Sequence, residues 1–188
     1  MTVLKIIISQ NPTLRRTAQP VTAFTPELQI LIDDMLVTMN AAHGVGLAAP
    51  QVAQGLRLFV AHLTEDPAVV DAEFDAKKDA SVVVPKPAPG VGQVLVMINP
   101  VISKLSPETI NGTEGCLSIP GFAGTVSRHQ SLTVHYLDRK GQRRSLSTFG
   151  WMARVIQHEY DHLNGILFTE KASKIWEIEP DDLEESDL

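Results

Sequence analysis

Gln157-His158-Glu159-Tyr160-Asp161-His162-Leu163-Asn164-Gly165 is the stretch that decides how the rest of this 188-residue chain is read. Good helix formers precede it from Phe149 to Ile156, Thr148 stands where an N-cap belongs, and Asn164-Gly165 supplies a C-terminal stop. A helix here puts His158 and His162 on one face, one turn apart, so both imidazoles can reach a single metal ion. Trp151 and Val155 fall on the same stripe. Glu159, beside the first histidine, can act as a base on metal-activated water without being a ligand. With six His in the chain, His-Glu-x-x-His arises by chance with a probability of about one percent. Metal-dependent hydrolysis is therefore the favoured reading over structural histidines.

A catalytic metal takes three protein ligands and keeps one position for water. One large peptidase class adds a histidine six residues after the second, following a glycine; Gly165 is present, but Phe168 holds the required position. A downstream glutamate is another route, offered here by Glu177 or Glu179. The better candidate is the sole cysteine, Cys116, although a lone cysteine between apolar residues is, by itself, more simply a small buried hydrophobe. Two rival functions stay open at this point: a metallopeptidase using Glu177 or Glu179, and a non-catalytic zinc site whose closed coordination leaves no room for water.

The chain is long enough for one domain with a real core. Its 44% hydrophobic and 20% charged residues are ordinary for a globular protein, and no apolar run approaches the length needed to span a membrane. The net charge of -6, with basic residues scattered, argues against nucleic-acid binding. One cysteine cannot form an internal disulfide, which fits a reducing compartment. The N-terminal apolar run is too short for a secretory signal, so a cytoplasmic protein is expected.

In chain order, Val3 to Ile8 is a strand-like run. Thr25-Pro26-Glu27 is a strong helix start, followed by Leu28, Leu31, Ile32, Met35, Leu36 and Met39 at helical spacing. His43 closes that helix before Gly44 and is read as complementing the helix C-terminus rather than as a ligand. Gly44-Val45-Gly46-Leu47-Ala48-Ala49-Pro50-Gln51 suggests positive φ or close approach at its glycines. Strands are expected at Leu56–Leu63, Gln93–Ile98 (stopped by Asn99-Pro100), Pro107–Thr113, Thr125–Arg128, Leu132–Leu137 and Gln142–Ser147, the last two joined by an Asp138–Gly141 hairpin turn. Residues 64–92 read as a surface insertion, with Val82–Val84 as a possible short strand. Residues 171–188 form an acidic tail with a possible strand at Ile175–Ile178. The whole of 1–188 is taken as one catalytic domain.

Three blocks, Gly44-Val45-Gly46-Leu47-Ala48-Ala49-Pro50-Gln51, Glu114-Gly115-Cys116-Leu117-Ser118 and Gln157-His158-Glu159-Tyr160-Asp161-His162, occur in an order that closely resembles the peptide deformylases. The similarity extends to Val3–Ile6, Ile119-Pro120-Gly121, Arg128 and Leu163-Asn164-Gly165. It implies an α+β fold, with short antiparallel sheets packed around a central metal-binding helix and an N-terminal helix. It also implies that Cys116 joins His158 and His162 as third ligand, for Fe(II) physiologically, with zinc, nickel or cobalt as substitutes. By the same resemblance Glu159, Gln51 and the Leu117 backbone are catalytic, while Gly44, Val45, Gly46, Trp151, Val155 and Arg128 meet the substrate. That substrate is an N-formylmethionyl nascent chain at the ribosome, and a monomer is expected. The long 64–92 segment departs from the family's compact members.

Overall fold

Thr25 starts the first helix as its sequence suggests: its hydroxyl accepts from Leu28 N–H at 3.4 Å, and Pro26 needs no such partner. In the computed structural model, which describes residues 1–79 and 81–178, this helix, α1, spans Pro26–Ala41 and buries Leu28, Ile32, Met35 and Met39. His43 follows in the left-handed region at φ 52, and Gly44 N–H returns to Met39 O at 2.9 Å, closing the helix end. Then come β1 (Gly46–Ala48), a 3-10 turn at Ala49–Val52 that carries Gln51, and β2 (Leu58–Ala61).

The 64–92 insertion contains a helix that its composition obscures: α2, Pro67–Ala76, has no buried residue. Its signal was the Asp66-Pro67 pair. Asp66 is buried, caps Ala68 N–H through Oδ1 at 3.2 Å and accepts from Ala88 N–H through Oδ2 at 3.1 Å, so one carboxylate ties both ends of the insertion. Val82–Val84 form no strand. The next strand, β3, runs over Leu95–Ser103, through the Asn99-Pro100 pair expected to end it. Asn99 at φ 50 makes an irregularity between Ile98 and Val101, and its side chain bonds Val21 N–H and O, each at 2.8 Å.

The remaining strands are β4 (Thr109–Cys116), β5 (Ile119–His129), β6 (Ser131–Leu137) and β7 (Arg143–Phe149), followed by α3 (Gly150–Leu163) and β8 (Ala172–Glu177). They form two antiparallel sheets, ordered β1-β2-β3-β6-β7 and β4-β5-β8. Helix α3 lies against both, its Met152, Ala153, Ile156 and Leu163 buried with Phe59, Met97 and Val134 of the larger sheet. The architecture is α+β around a central helix. Val3–Ile8 belongs to neither sheet, but Ile7 N–H bonds Gln51 O at 2.8 Å and Ser9 N–H bonds Ser118 O at 2.9 Å. The segment thus clamps two loops of the site instead of pairing as a strand. The tail beyond Ile178, including Glu179, lies outside the described residues.

Candidate active site

Phe149, not Thr148, occupies the cap position of α3, and no side chain caps it; Thr148 instead donates its hydroxyl to Pro89 O at 2.7 Å. The other end matches its sequence. Gly165 at φ 75 gives Gly165 N–H to His162 O at 3.1 Å and Ile166 N–H to Asp161 O at 3.0 Å. A Cβ there would sit 2.7 Å from the Arg15 backbone, so glycine alone fits.

Cys116, at the end of β4, meets His158 and His162 of α3, and their ligand atoms all lie within 4.8 Å of one another. Cys116 Sγ is 3.3 Å from His162 Nε2. That spacing fits two ligands of one tetrahedral ion with bonds of about 2.0–2.3 Å. His158 bonds Glu114 Oε2 through Nδ1 at 2.9 Å, which fixes the ring and leaves Nε2 for a metal. Glu159 is 4% exposed, and its Oε2 has no hydrogen-bond partner among the described residues. A thiol, two imidazoles and an unpaired buried carboxylate oxygen form a donor set suited to a metal ion and its water. Glu177 stands on β8 opposite Phe122, is exposed, and does not belong to this cluster.

The electrostatics follow from burial. Desolvation pushes the Glu159 carboxyl up to about 7, partly offset by the charge of His158. In the metal-free chain, burial pulls His158 down, but hydrogen bonds to Cys116 and Glu114 outweigh it and lift its pKa to about 10. Metal binding must release that proton. Burial and the neighbouring His158 charge hold His162 below its ordinary value. Burial alone would raise Glu114, but Arg128 and His158 hold it well below the usual carboxylate range.

Gln51 is 2% exposed. Its Oε1 accepts from Ala48 N–H at 2.8 Å, which turns Nε2 toward Cys116 Sγ at 3.6 Å and Ser118 Oγ at 3.3 Å. A cleft of about 520 Å³ opens beside these groups, lined by Gly44, Val45, Gly46, Leu117, Trp151 and Val155 among others. Eleven of the twelve expected site residues therefore meet at one cleft or its metal cluster.

Arg128 is the exception. Its side chain is 3% exposed and does not line the cleft; it pairs with both Glu114 oxygens at 2.8 Å and with Asp161 at 2.5 Å. We assign it to holding Glu114, and through it His158, in place of the expected substrate contact. Arg128→Ala should lower stability by about 3 kcal/mol, because it breaks a buried ion pair and leaves Glu114 to Arg154 and His158, and Asp161 to Lys171. Chemical denaturation checks this; an unchanged midpoint with a raised KM would restore the substrate role.

Gly46 is needed for a reason other than peptide access. A Cβ on it would lie 2.7 Å from Glu159 Cδ and 2.9 Å from Cγ, so the carboxylate would have to move. Gly46→Ala should retain metal yet lose about a hundredfold in kcat, the scale of a 1 Å misplacement. Steady-state kinetics with metal analysis tests it; wild-type kcat would show that Glu159 is not held there.

An α+β fold with a cysteine and a His-Glu-x-x-His helix around one open cleft defines a metal-dependent hydrolase. The polypeptide deformylase family model matches residues 3–177. The peptide deformylase of Orientia tsutsugamushi (strain Boryong) is 39% identical over 93% of this chain and 90% of its own. The Thermotoga maritima peptide deformylase structure superposes with a TM-score of 0.76 at 33% identity, covering 93% of this chain and all of that one. A class I type b peptide deformylase from Acinetobacter baumannii, solved bound to Met-Ala-Ser, superposes with a TM-score of 0.76 at 35% identity over 90% of this chain and 98% of its own. The chain belongs to the peptide deformylase family. It is a metal-dependent enzyme that removes the N-formyl group from nascent polypeptides.

Proposed function

We propose that Cys116, His158 and His162 hold Fe(II), with zinc, nickel or cobalt as substitutes, and that Glu159 is the base that opens the formamide. The observation that carries this reading is the convergence of one thiol and two imidazoles on a point beside an unpaired, buried Glu159. A thiolate donor softens the ion's Lewis acidity and suits ferrous iron at least as well as zinc. A bound ion would supply a Lewis acid that acidifies water and polarises the formyl oxygen. Glu159 takes the proton as water attacks the formyl carbon and returns it to the leaving nitrogen, giving formate and a free N-terminus. Gln51 Nε2, aimed by its Oε1 bond to Ala48, and the Leu117 N–H donate to the oxyanion.

The substrate backbone runs between the Gly44–Gly46 edge and the Ile119–Gly121 start of β5 as an added strand, its first side chain entering between Val45, Trp151 and Val155. Met-Ala-Ser, found bound to the Acinetobacter baumannii relative, is what deformylation of formyl-Met-Ala-Ser leaves. We take residues 1–188 as one catalytic domain, a monomer of the cytoplasm acting on nascent chains at the ribosome. No helix among the described residues is long and apolar enough to cross a membrane. The test is anaerobic: protein loaded with Fe(II) should release formate from formyl-Met-Ala-Ser. Inertness on that peptide combined with cleavage of internal peptide bonds would overturn the reading in favour of a metallopeptidase.

A further inference from the structure

The two donors assigned to the oxyanion sit on loops that are remote from each other in the chain. Gln51 belongs to the 3-10 turn Ala49–Val52, which follows β1 of the larger sheet. Leu117 and Ser118 form the tight turn between β4 and β5 of the smaller sheet, where Cys116 pairs with Ile119. Among the described residues, no strand ladder ties the two loops together. Their side-chain link, Gln51 Nε2 to Ser118 Oγ at 3.3 Å, is long for a hydrogen bond.

The N-terminal segment joins them through its main chain. Ile7 N–H donates to Gln51 O at 2.8 Å, and two residues on, Ser9 N–H donates to Ser118 O at 2.9 Å. The segment is itself held at both ends. Upstream, Leu4 N–H donates to Thr38 Oγ1 of α1 at 2.8 Å, and Leu4 and Ile6 pack against the same buried cluster as Leu117. Downstream, Asn11 caps the 3-10 turn Pro12–Arg15, whose Leu14 is wholly buried. A bridge anchored on both sides fixes the distance between the carbonyls it grips. Gln51 and Ser118 are themselves buried, so water is not at hand to replace either bond.

We propose that residues 3–9 are a brace that sets the spacing of the two oxyanion donors, with Ile7 and Ser9 as positioning residues that act through their main-chain N–H groups. The proposal rests on the reading above, that Gln51 Nε2 and Leu117 N–H meet the oxyanion. Such donors stabilise the developing charge only when they are already in place, and a displacement of about 1 Å costs on the order of a hundredfold in rate. Neither Ile7 nor Ser9 touches the substrate in this account.

Proline tests the brace because it removes a main-chain N–H. Ser9 is second in the turn closed by Asn11 N–H to Ile8 O at 2.8 Å, a position that proline favours, so Ser9→Pro should fold. With the metal-loaded full chain and formyl-Met-Ala-Ser, Ile7→Pro and Ser9→Pro should each lower kcat by at least about tenfold, short of the roughly 10²–10³-fold cost of deleting a donor outright. KM and metal content should stay close to wild type. A double-mutant cycle with Gln51→Ala separates positioning from general weakening. Once the Gln51 amide is gone its placement no longer affects the rate, so Ile7→Pro added to Gln51→Ala should lower kcat by less than about twofold. Ser9→Pro, which acts on the Leu117 turn, should still lower it in that background.

A folded Ile7→Pro with wild-type kcat, a loss of the same size with and without the Gln51 amide, or a loss carried by KM alone would each overturn the brace. If Ile7→Pro fails to fold, Ser9→Pro decides, and wild-type kcat with metal retained would overturn it. An enzyme inert on formyl-Met-Ala-Ser would remove the underlying site reading, and Gln51→Ala at wild-type kcat would remove Gln51 as a donor and the brace with it. Full turnover, a rate loss in Gln51→Ala and no coupling in the cycle would remove the brace alone.

Discussion

Cys116→Ala is expected to lose its metal and, with it, all deformylation above background. Two histidines on one helix can grip an ion but cannot by themselves supply the three protein ligands of a catalytic site. In the folded chain the sulfur is the atom that closes the set, 3.3 Å from His162 Nε2. Its removal leaves Gln51 Nε2 facing an alanine methyl, with Ser118 Oγ at 3.3 Å as remaining partner, so the fold should survive. Metal content after dialysis, measured beside far-ultraviolet circular dichroism, checks both halves of the statement. Retention of stoichiometric metal by Cys116→Ala would point to a different third ligand and would revive a glutamate from the C-terminal segment.

Glu159→Gln should do the opposite: keep the metal and lose the rate. General-base catalysis contributes about 10²–10⁴-fold, and a neutral amide of the same shape cannot take the proton. The variant also carries a pH signature. Burial pushes the Glu159 carboxyl up from 4.5 to about 7 in the metal-free chain, so folding favours its protonated form. The associated stability is complete below 4.5 and is lost as pH rises through about 7. Catalysis needs the ionised form, so kcat/KM should fall on the acid side as Glu159 takes up a proton, and the residual rate of Glu159→Gln should lack that acid limb. A variant that keeps the wild-type rate or the wild-type limb would relieve Glu159 of its role.

Much of the site was legible because its signals are local. The α3 histidines sit four apart on a helix whose stop, Asn164-Gly165, is written in the same nine residues, and Thr25-Pro26 announces α1 equally directly. The third ligand was open from residues alone, since nothing near Cys116 in sequence says what it faces; the family resemblance pointed to it, and the fold brings it to the histidines. What escaped notice depends on pairs distant in the chain. Arg128 looked free for substrate until Glu114 and Asp161 closed on it. The Gly46 requirement is set by Glu159, far away along the chain. Val3–Ile8 carries the apolar pattern of a strand but finds loop carbonyls instead of a sheet edge. At Asn99-Pro100 the stop signal was real chemistry put to another use, because the positive-φ asparagine bends β3 without ending it. The Asp66-Pro67 cap was readable in principle and was masked by the polar composition around it.

X-ray absorption at the iron edge of anaerobically loaded protein tests the central claim most directly. One sulfur, two imidazole nitrogens and at least one light scatterer from solvent are expected in the inner shell, whereas Cys116→Ala should retain no iron to measure. A shell made of nitrogen and carboxylate oxygen with no sulfur, or one closed entirely by protein side chains, would contradict the account.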